Sequence, residues 1–595
     1  MDEITTKIAI KKEFAQNYEI IWNEDFGKVE DSYNSAKGVL TLKGKRKTEA
    51  AVTGEGVVAT IRLKMPSDVK KGTQLTYLVQ SGQATYNSEK PEHYAKSFST
   101  KKTSIEIIAP LTLKTDTMFV GMSGKIYVVD ASGKAVEGAE IFNVDTKQSL
   151  GTTNADGYIE TDALNQAVAM FSIYAKKGED VSFILTDYSF AIAGNEDGSP
   201  QYVMSHASKD VNTQKSVTWF TDPFKSQNKA IMQIATKADF DANKEKAFKN
   251  VTGTTELIKL DGSANVEDNH AFRLNSVIAT GLSSGTAYVY RVGDGDKWSD
   301  LKSFTTPYKN KNVNFFVLGD IQTLDMDRTN RIADALMNNG IKYDFGLQTG
   351  DAVDNGAKFE YWDGIANLYG ELFNSLDMIH VFGNHEYEGD LTGDNSKAIY
   401  NIPSENNGDY YSFEYGNMYF AVINFTKDTN RLNRAASWLV EDAKKSNATW
   451  KVLAIHQPAY YTNPTGGNDI INKIIPPACD AAGIDFVFSG HDHTYNRTKP
   501  LKGGKVDKDN GTVYLISGTT GDKTYPTTDT GFEFDKYITT FDGVYMSVSA
   551  TTKEFTIEAR EANGNILDTY TRTKEYKCDK DGHEYEIVDG YAVCI

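Results

Sequence analysis

The sequence predicts a multidomain fold in which three N-terminal all-β sandwiches are followed by an α/β domain. Three observations predict it. The chain has 595 residues, too many for one hydrophobic core, and domains of roughly 100–200 residues would divide it into about four. Up to residue 308, short runs alternate apolar and polar residues between turn residues, the period of half-buried strands. From residue 312 the runs become almost continuously apolar and are separated by segments of helical periodicity, as in strands buried on both faces. The 33 Tyr and 48 Gly against 13 Pro agree with a β-rich, turn-rich chain.

Residues 1–110 form the first expected sandwich, from runs such as GVLTLKG, QLTYLVQ and TSIEIIAP. Within it, GVVATIRLKMPSDVKKGTQL is similar to the later part of a cohesin-type module, and a generic sandwich fits as well. Residues 111–194 contain GKIYVVDASGKAVEGAEIFNVDTKQSLGTTNADGYIETDAL, which resembles a carboxypeptidase-regulatory-like sandwich. Asn154, Asp156 and Gly157 suit a tight turn there. Residues 195–308 carry Trp219, GLSSGTAYVYRVG and a closing SFTTP, and are similar to a fibronectin type III sandwich. Tyr288 and Tyr290 fall on one face of a strand by the period of two.

Net charge is −18 and pI about 5.1, with no basic patch, so no partnership with a nucleic acid duplex is expected. No run reaches the roughly 18 apolar residues that span a bilayer. The start, MDEITTKIAIKK, lacks the apolar core of a signal peptide, so either the protein is cytosolic or residue 1 begins a processed piece of an exported one. Cys479 reads as a buried small hydrophobe in a helix. Residues 575–595, with Cys578, His583 and Cys594, look like part of a small Cys/His repeat at the ends of Gram-positive surface proteins. A disulfide between Cys578 and Cys594 and a loose tail are the alternatives. These features together lead us to expect an extracellular or cell-surface bacterial protein.

The chemistry lies in residues 309–574. VNFFVLGD ends at Asp320, with Gln322 two residues on; YDFGLQTGD ends at Asp351; LDMIHVFGNHE ends at Asn384 and His385. WKVLAIHQP ends at His456, and IDFVFSGHDH at His491 and His493. In open α/β sheets the carboxyl ends of strands converge on the ligand crevice, so these side chains should meet although they span more than 170 residues. Carboxylate, carboxamide and imidazole suit Mn, Fe or Zn, and a shared carboxylate can bridge two ions about 3.5–4 Å apart. Individually, a strand-end His or Asp is usually structural. Five successive buried strands ending in ligand types are not explained that way.

The ordered set GD, GD, GNHE, a strand-end His and GHDH is identified as the signature of the calcineurin-like metallophosphoesterase superfamily. With the preceding sandwich, residues 199–574 resemble its purple acid phosphatase branch. The resemblance implies a four-layer α/β metallophosphoesterase sandwich with two divalent metal ions. Site one would hold Asp320, Asp351 and His493. Site two would hold Asp351, Asn384, His456 and His491, with Asp351 bridging and His385 facing the phosphate as the catalytic imidazole.

Two departures from that branch matter. Its metal-binding Tyr, in GDxxY, is replaced by Asp354, which resembles the acidic residue that sits beside the metals in protein-phosphatase-type members. That replacement predicts a colourless enzyme. Gln322 occupies a position that in many members is His and resembles the D-x-Q variant, so the resemblance makes it a first-site ligand and favours Mn or Fe, with Zn also compatible. The run QPAYYTNPTGGN lacks the second His of related acid phosphatases, which argues against a dedicated acid optimum. The expected activity is hydrolysis of a phosphorylated small molecule or nucleotide, as a phosphomonoesterase. The alternatives are a phosphodiesterase or nucleotide pyrophosphatase, and, of another class, an adhesion or scaffold protein with a vestigial phosphoesterase domain. The N-terminal sandwiches are expected to act as spacers or as docking sites for a protein partner.

Overall fold

The computed structural model describes residues 3–10, 18–22, 26–47, 59–63, 74–85, 96–98 and 102–106, and residues 109–594 apart from 261–267, 310, 375, 404, 464–468, 575–584 and 589–590. The chain forms two compact units, Met1–Ser189 and Phe190–Ile595. In the first, Glu3–Ala9 lies between Val39–Arg46 and Gln74–Thr85, all antiparallel. The turn of the cohesin-like stretch (64–73) lies outside the described residues, as do Cys578 and His583. Further along, Gly124–Asp130 pairs with Leu111–Thr115 and Tyr158–Thr161, and Glu140–Asn143 with Met170–Lys177. Leu113, Ile126, Val128, Ile141 and Ile173 close one core between these strands. Asn154 makes the expected turn: its Oδ1 accepts the backbone N–H of Asp156 and of Tyr158, at 3.0 and 3.2 Å.

In the second unit, two antiparallel sheets face each other over residues 201–305. One contains Gln201–His206, Lys215–Thr221, His270–Ala279 and Thr254–Leu260; the other contains Lys249–Thr252, Ile231–Thr236, Ala287–Gly293 and Lys302–Thr305. Trp219, Tyr288 and Tyr290 are buried together in their shared core, so the two tyrosines are packing residues. The first sheet continues into the next domain where His206 pairs in parallel with Met378.

The α/β domain has two sheets. In one, Asp377–His380, Phe345–Gln348 and Val313–Leu318 run parallel and are extended by antiparallel Tyr545–Ala550, Glu554–Arg560 and Ile566–Thr573. In the other, Met418–Ile423, Trp450–Ile455, Phe486–Ser489 and Val513–Ser517 are parallel. Phe315, Phe345, Phe420, Phe488 and Phe555 are fully or nearly fully buried between them, several ring edges meeting ring faces. Each such side chain contributes about 1.5–3 kcal/mol by leaving water. Helices Asp327–Asn338 and Phe359–Asn367 cover the outer face of the first sheet, and Thr429–Ala443 and Asp469–Ala482 that of the second. The order is therefore helix, sheet, sheet, helix, the four layers expected. Cys479 is buried in the last helix.

Phe359, Trp362, Ile365, Tyr369, Leu372 and Leu376 recur at the three- and four-residue spacing that predicts a helix, yet the α-helix there is not continuous. It ends at Asn367 and widens into a turn over Leu368–Leu372, where the Phe373 N–H reaches Leu368 O at 3.0 Å. Gly370 lies against the backbone of Tyr202, and a Cβ there would meet Tyr202 Cα at 3.0 Å. Packing on the neighbouring sandwich thus reshapes the end of a segment whose apolar spacing alone reads as α-helical.

Candidate metal centre

The site is assembled at the carboxyl ends of five strands, three from one sheet and two from the other. The first sheet delivers Asp320, Asp351 and Asn384; the second delivers His456, His491 and His493. Glycine precedes several of these residues because there is no room for more. A Cβ on Gly383 would lie 2.0 Å from Asp351 Oδ1, and one on Gly490 would lie 2.3 Å from Asp320 Oδ1. The backbone is bent as well: Gln322, Asp351, His491 and His493 have φ of 45°, 53°, 71° and 50°, the left-handed region that side chains with a Cβ adopt at a cost.

The carboxylates meet imidazoles. His493 Nε2 lies 3.1 Å from Asp320 Oδ2, and His456 Nε2 lies 3.0 Å from Asp351 Oδ2. His456 Nε2 is also 3.2 Å from His491 Nδ1, and one ligand atom each of Asp351, His456 and His491 fall within 4.8 Å of one another. The other nitrogen of His456 faces the carbonyl of Thr349 at 3.0 Å, which orients the ring so that Nε2 points at the cluster. Asp320 accepts the backbone N–H of His491 at 2.9 Å. Gln322 donates Nε2–H to Asp351 Oδ2 at 3.0 Å.

His385 stands beside the cluster. Its backbone N–H donates to Asp351 Oδ1 at 2.9 Å, and its Nδ1–H donates to the Asp354 carbonyl at 2.8 Å. A carbonyl only accepts, so Nδ1 carries the proton and Nε2 is left for a substrate. The carboxylates of Asp354 and Glu388 lie 3.6 and 3.7 Å from Nδ1.

The electrostatics follow from this geometry. Burial pushes the Asp351 carboxyl up, but the charge and hydrogen bond of His456, joined by the charge and backbone N–H of His385, together outweigh it and hold the group at about 2. Burial would lower His456, and pairing with Asp351 instead lifts it to about 10. His491 falls to about 4 because it is buried beside His456. Among the described residues no Lys or Arg contacts Asp320 or Asp351; both are matched by imidazole and N–H alone. The side-chain oxygen Oδ1 of Asn384 and Nδ1 of His493 are buried without a hydrogen-bond partner. Buried polar atoms are rarely left so. Orphaned donor atoms next to paired carboxylates and imidazoles fit divalent cations, so the donor set passes as a metal centre.

Every residue predicted for the site thus reaches this one region, and four that were not predicted as ligands or catalytic groups join it. Glu386, inside the GNHE run, is buried and accepts the backbone N–H of Gly383, Asp351 and Ala352 at 2.6, 3.0 and 2.8 Å. It ties the loop that carries Asn384 to the loop that carries Asp351. Burial and the neighbouring Asp351 push its carboxyl up to about 7. Asp492, within GHDH, accepts the N–H of Thr462 and Asn463 at 3.0 and 3.1 Å, and burial raises it to about 6. Both lie within quoted motifs, whose spacing was the available signal. Lys523 had none, and Tyr525 opens the run YPTTDTGFEFDKY, which reads as a rim loop of the site without marking any one residue. Tyr525 stacks on His493 at 4.5 Å between ring centres, and Lys523 pairs with Asp354.

Residues 313–495 match the calcineurin-like phosphoesterase family, and residues 200–306 match the purple acid phosphatase N-terminal domain. The chain therefore carries a calcineurin-like phosphoesterase domain, a hydrolase class that uses divalent metal ions, behind a purple acid phosphatase N-terminal domain. Its relatives are purple acid phosphatases. Purple acid phosphatase 18 of Arabidopsis thaliana is 28% identical over 265 residues, 42% of this chain and 59% of that protein. Purple acid phosphatase 21 of the same plant is 28% identical over 257 residues, 41% of this chain and 57% of that protein, so the chain spans less than two thirds of either. The structure of purple acid phosphatase PPD1 from yellow lupin (Lupinus luteus) seeds has the same fold, with a TM-score of 0.53 at 15% identity over 78% of this chain and 96% of that one.

Proposed function

We propose that this protein is a metal-dependent phosphomonoesterase with a two-metal centre. The observation that carries the reading is the convergence of Asp320, Asp351, Asn384, His456, His491 and His493 from both sheets, with imidazole instead of Lys or Arg against each carboxylate. Asp320, Asp351, His493 and Gln322 would hold the first ion, and Asp351, Asn384, His456 and His491 the second. The oxygen-rich first site favours Mn(II) or Fe(II), and Zn(II) is compatible. Bound divalent ions supply positive charge against the phosphate and lower the pKa of a coordinated water toward neutrality.

The chain's own residues do the rest. Glu386 fixes the spacing of the two ligand loops, and His385 presents Nε2 to the ester. Because Nδ1 is committed to the Asp354 carbonyl, His385 gives a proton to the leaving alkoxide only as imidazolium. Asp354 stands where the branch has its metal-binding Tyr, so the loaded enzyme is colourless. The N-terminal unit acts as a spacer or docking module that keeps the domain at or outside the cell surface. Among the described residues no helix is long and apolar enough to cross a membrane.

The test is turnover of p-nitrophenyl phosphate and of its bis-ester by the Mn(II)-loaded full chain. A monoester preference with two metals per chain and no visible absorption band supports the reading. Preference for the bis-ester would make the protein a diesterase. Turnover of neither, with both metals bound, would leave a scaffold with a vestigial domain.

A further inference from the structure

The loop after the strand Val513–Ser517 is bolted to the site. The backbone N–H groups of Thr520 and Gly521 donate to the carbonyl of Asp320 at 2.8 and 3.0 Å, and Thr519 Oγ1 donates to it at 3.1 Å. Arg328 Nη1 holds the carbonyl of Gly521 at 2.6 Å. Gly521 has no room for a side chain, since a Cβ would lie 1.7 Å from Ile321 O. Two residues on, the Lys523 ammonium is paired with the Asp354 carboxylate and lies 3.4 Å from Gln322 Oε1. The lysine side chain is 38% exposed, so it faces solvent over the site. Tyr525 then covers His493. A rigid base therefore aims one cation across the first-site residues, in a chain of net charge −18 whose centre is lined by Asp320, Asp351 and Asp354.

We propose that Lys523 is a substrate-anchoring residue that holds a non-bridging oxygen of the phosphate group, sharing its ammonium between Asp354 and the substrate, and that it biases the site toward dianionic monoesters. The inference rests on the phosphoesterase reading above. At pH 7 a phosphate monoester carries about −1.5 to −2 charges, because its second pKa is about 6, whereas a diester carries one. An added ammonium therefore favours the monoester more. Three donors on a flexible stem let Lys523 keep one hydrogen bond to Asp354 while offering another to phosphate. Asp354 acts as its counter-charge, and the Asp354 carbonyl orients His385, so one residue positions both the anchor and the imidazole.

The test uses the Mn(II)-loaded full chain with Lys523→Gln, Lys523→Arg and Asp354→Asn. Each is measured for kcat and KM on p-nitrophenyl phosphate and bis(p-nitrophenyl) phosphate, for binding of inorganic phosphate by calorimetry, and for metal content. Lys523→Gln should lower monoester kcat/KM and weaken phosphate binding by roughly 10- to 100-fold, the range of a lost charge-assisted hydrogen bond, while bis-ester turnover changes less than about threefold. Lys523→Arg should recover most of the loss. Asp354→Asn keeps the carbonyl that holds His385 and frees the ammonium, so it should tighten phosphate. Equal losses on both esters, loss of metal in Lys523→Gln, or phosphate binding unchanged by either substitution overturns the proposal. Failure of the underlying reading looks different: the unmutated protein then hydrolyses neither ester.

Discussion

The strands of the α/β domain begin beside one set of carboxylates, buried or part-buried, and end beside another that is fully buried. At the starts, Asp377 is paired with the buried Lys215 at 2.5 Å, Asp344 with Lys311, and Asp485 with Lys574 at 2.6 Å. At the ends, Asp320 and Asp351 face His493 and His456. A lysine partner settles a carboxylate permanently, because an ammonium keeps its proton at any ordinary pH. An imidazole yields its proton and turns a lone pair toward a cation, so the same pair of atoms becomes a ligand set. The difference separates carboxylates that hold the fold from those we propose perform chemistry, although both kinds sit at strand termini.

Four substitutions or conditions would break or sharpen that comparison. Asp351→Asn, at an end, should lower p-nitrophenyl phosphate turnover by about 1,000-fold or more with loss of bound metal, since it removes the carboxylate charge that would serve both ions. Unchanged turnover with two metals bound would remove Asp351 from the catalytic centre. Asp377→Ala, at a start, should cost about 3 kcal/mol of stability by taking the carboxylate from a buried ammonium, with little change in kcat of the folded enzyme; denaturant midpoints would read it. Glu386→Gln keeps the shape but leaves one carbonyl oxygen for three backbone donors, and should cost about 2 kcal/mol together with reduced metal affinity, read by titration.

The smallest effect concerns pH. His206 and His380 are buried and touch at 3.1 Å where the sandwich sheet joins the α/β sheet, with Tyr400 stacked on His380 at 3.6 Å. Burial, with Lys215 nearby, lowers His206 to about 3, and burial with His206 lowers His380 well below its usual value. The unfolded chain binds protons near pH 6.5, so the folded state is fully stable above that value and loses stability as pH falls from about 6.5 toward 3. From pH 7 to 5.5 the loss should be about 1 kcal/mol per histidine, and equal urea midpoints at the two pH values in His206→Phe/His380→Phe would confirm the source. A loss of the same size in that double variant would place the acid sensitivity elsewhere.

The strand ends were legible in the sequence because buried apolar runs are rare places for Asp, Asn and His, and five such runs stop on ligand types in order. The same runs, apolar throughout and separated by helical segments, made an α/β domain legible, and its four layers were implied by the family resemblance of the ordered motifs. The place of Lys523 and the stacking of Tyr525 on His493 were not, because a loop residue gains its neighbours only through the clamp on the Asp320 carbonyl, which no local pattern encodes. Glu386 stood in plain view within GNHE, yet accepting backbone N–H groups from two separate loops is a property of the folded chain. The turn at Leu368–Leu372 was missed because the packing that widens it comes from Tyr202, more than 160 residues away.

The bent backbone at the site restricts which sequences could replace it. Three of its four left-handed positions are Asp or His, and Asn, Asp and His are the non-glycine residues that tolerate this conformation best. They are also oxygen and nitrogen donors to metals. A library randomised at Asp351, His491 and His493 should therefore return survivors drawn mainly from Asn, Asp, His and Gly. Cysteine is as able a ligand as any of them, and the chain has no easy path to it. The centre is free to drift among harder donors but is steered away from thiolate chemistry by its peptide geometry.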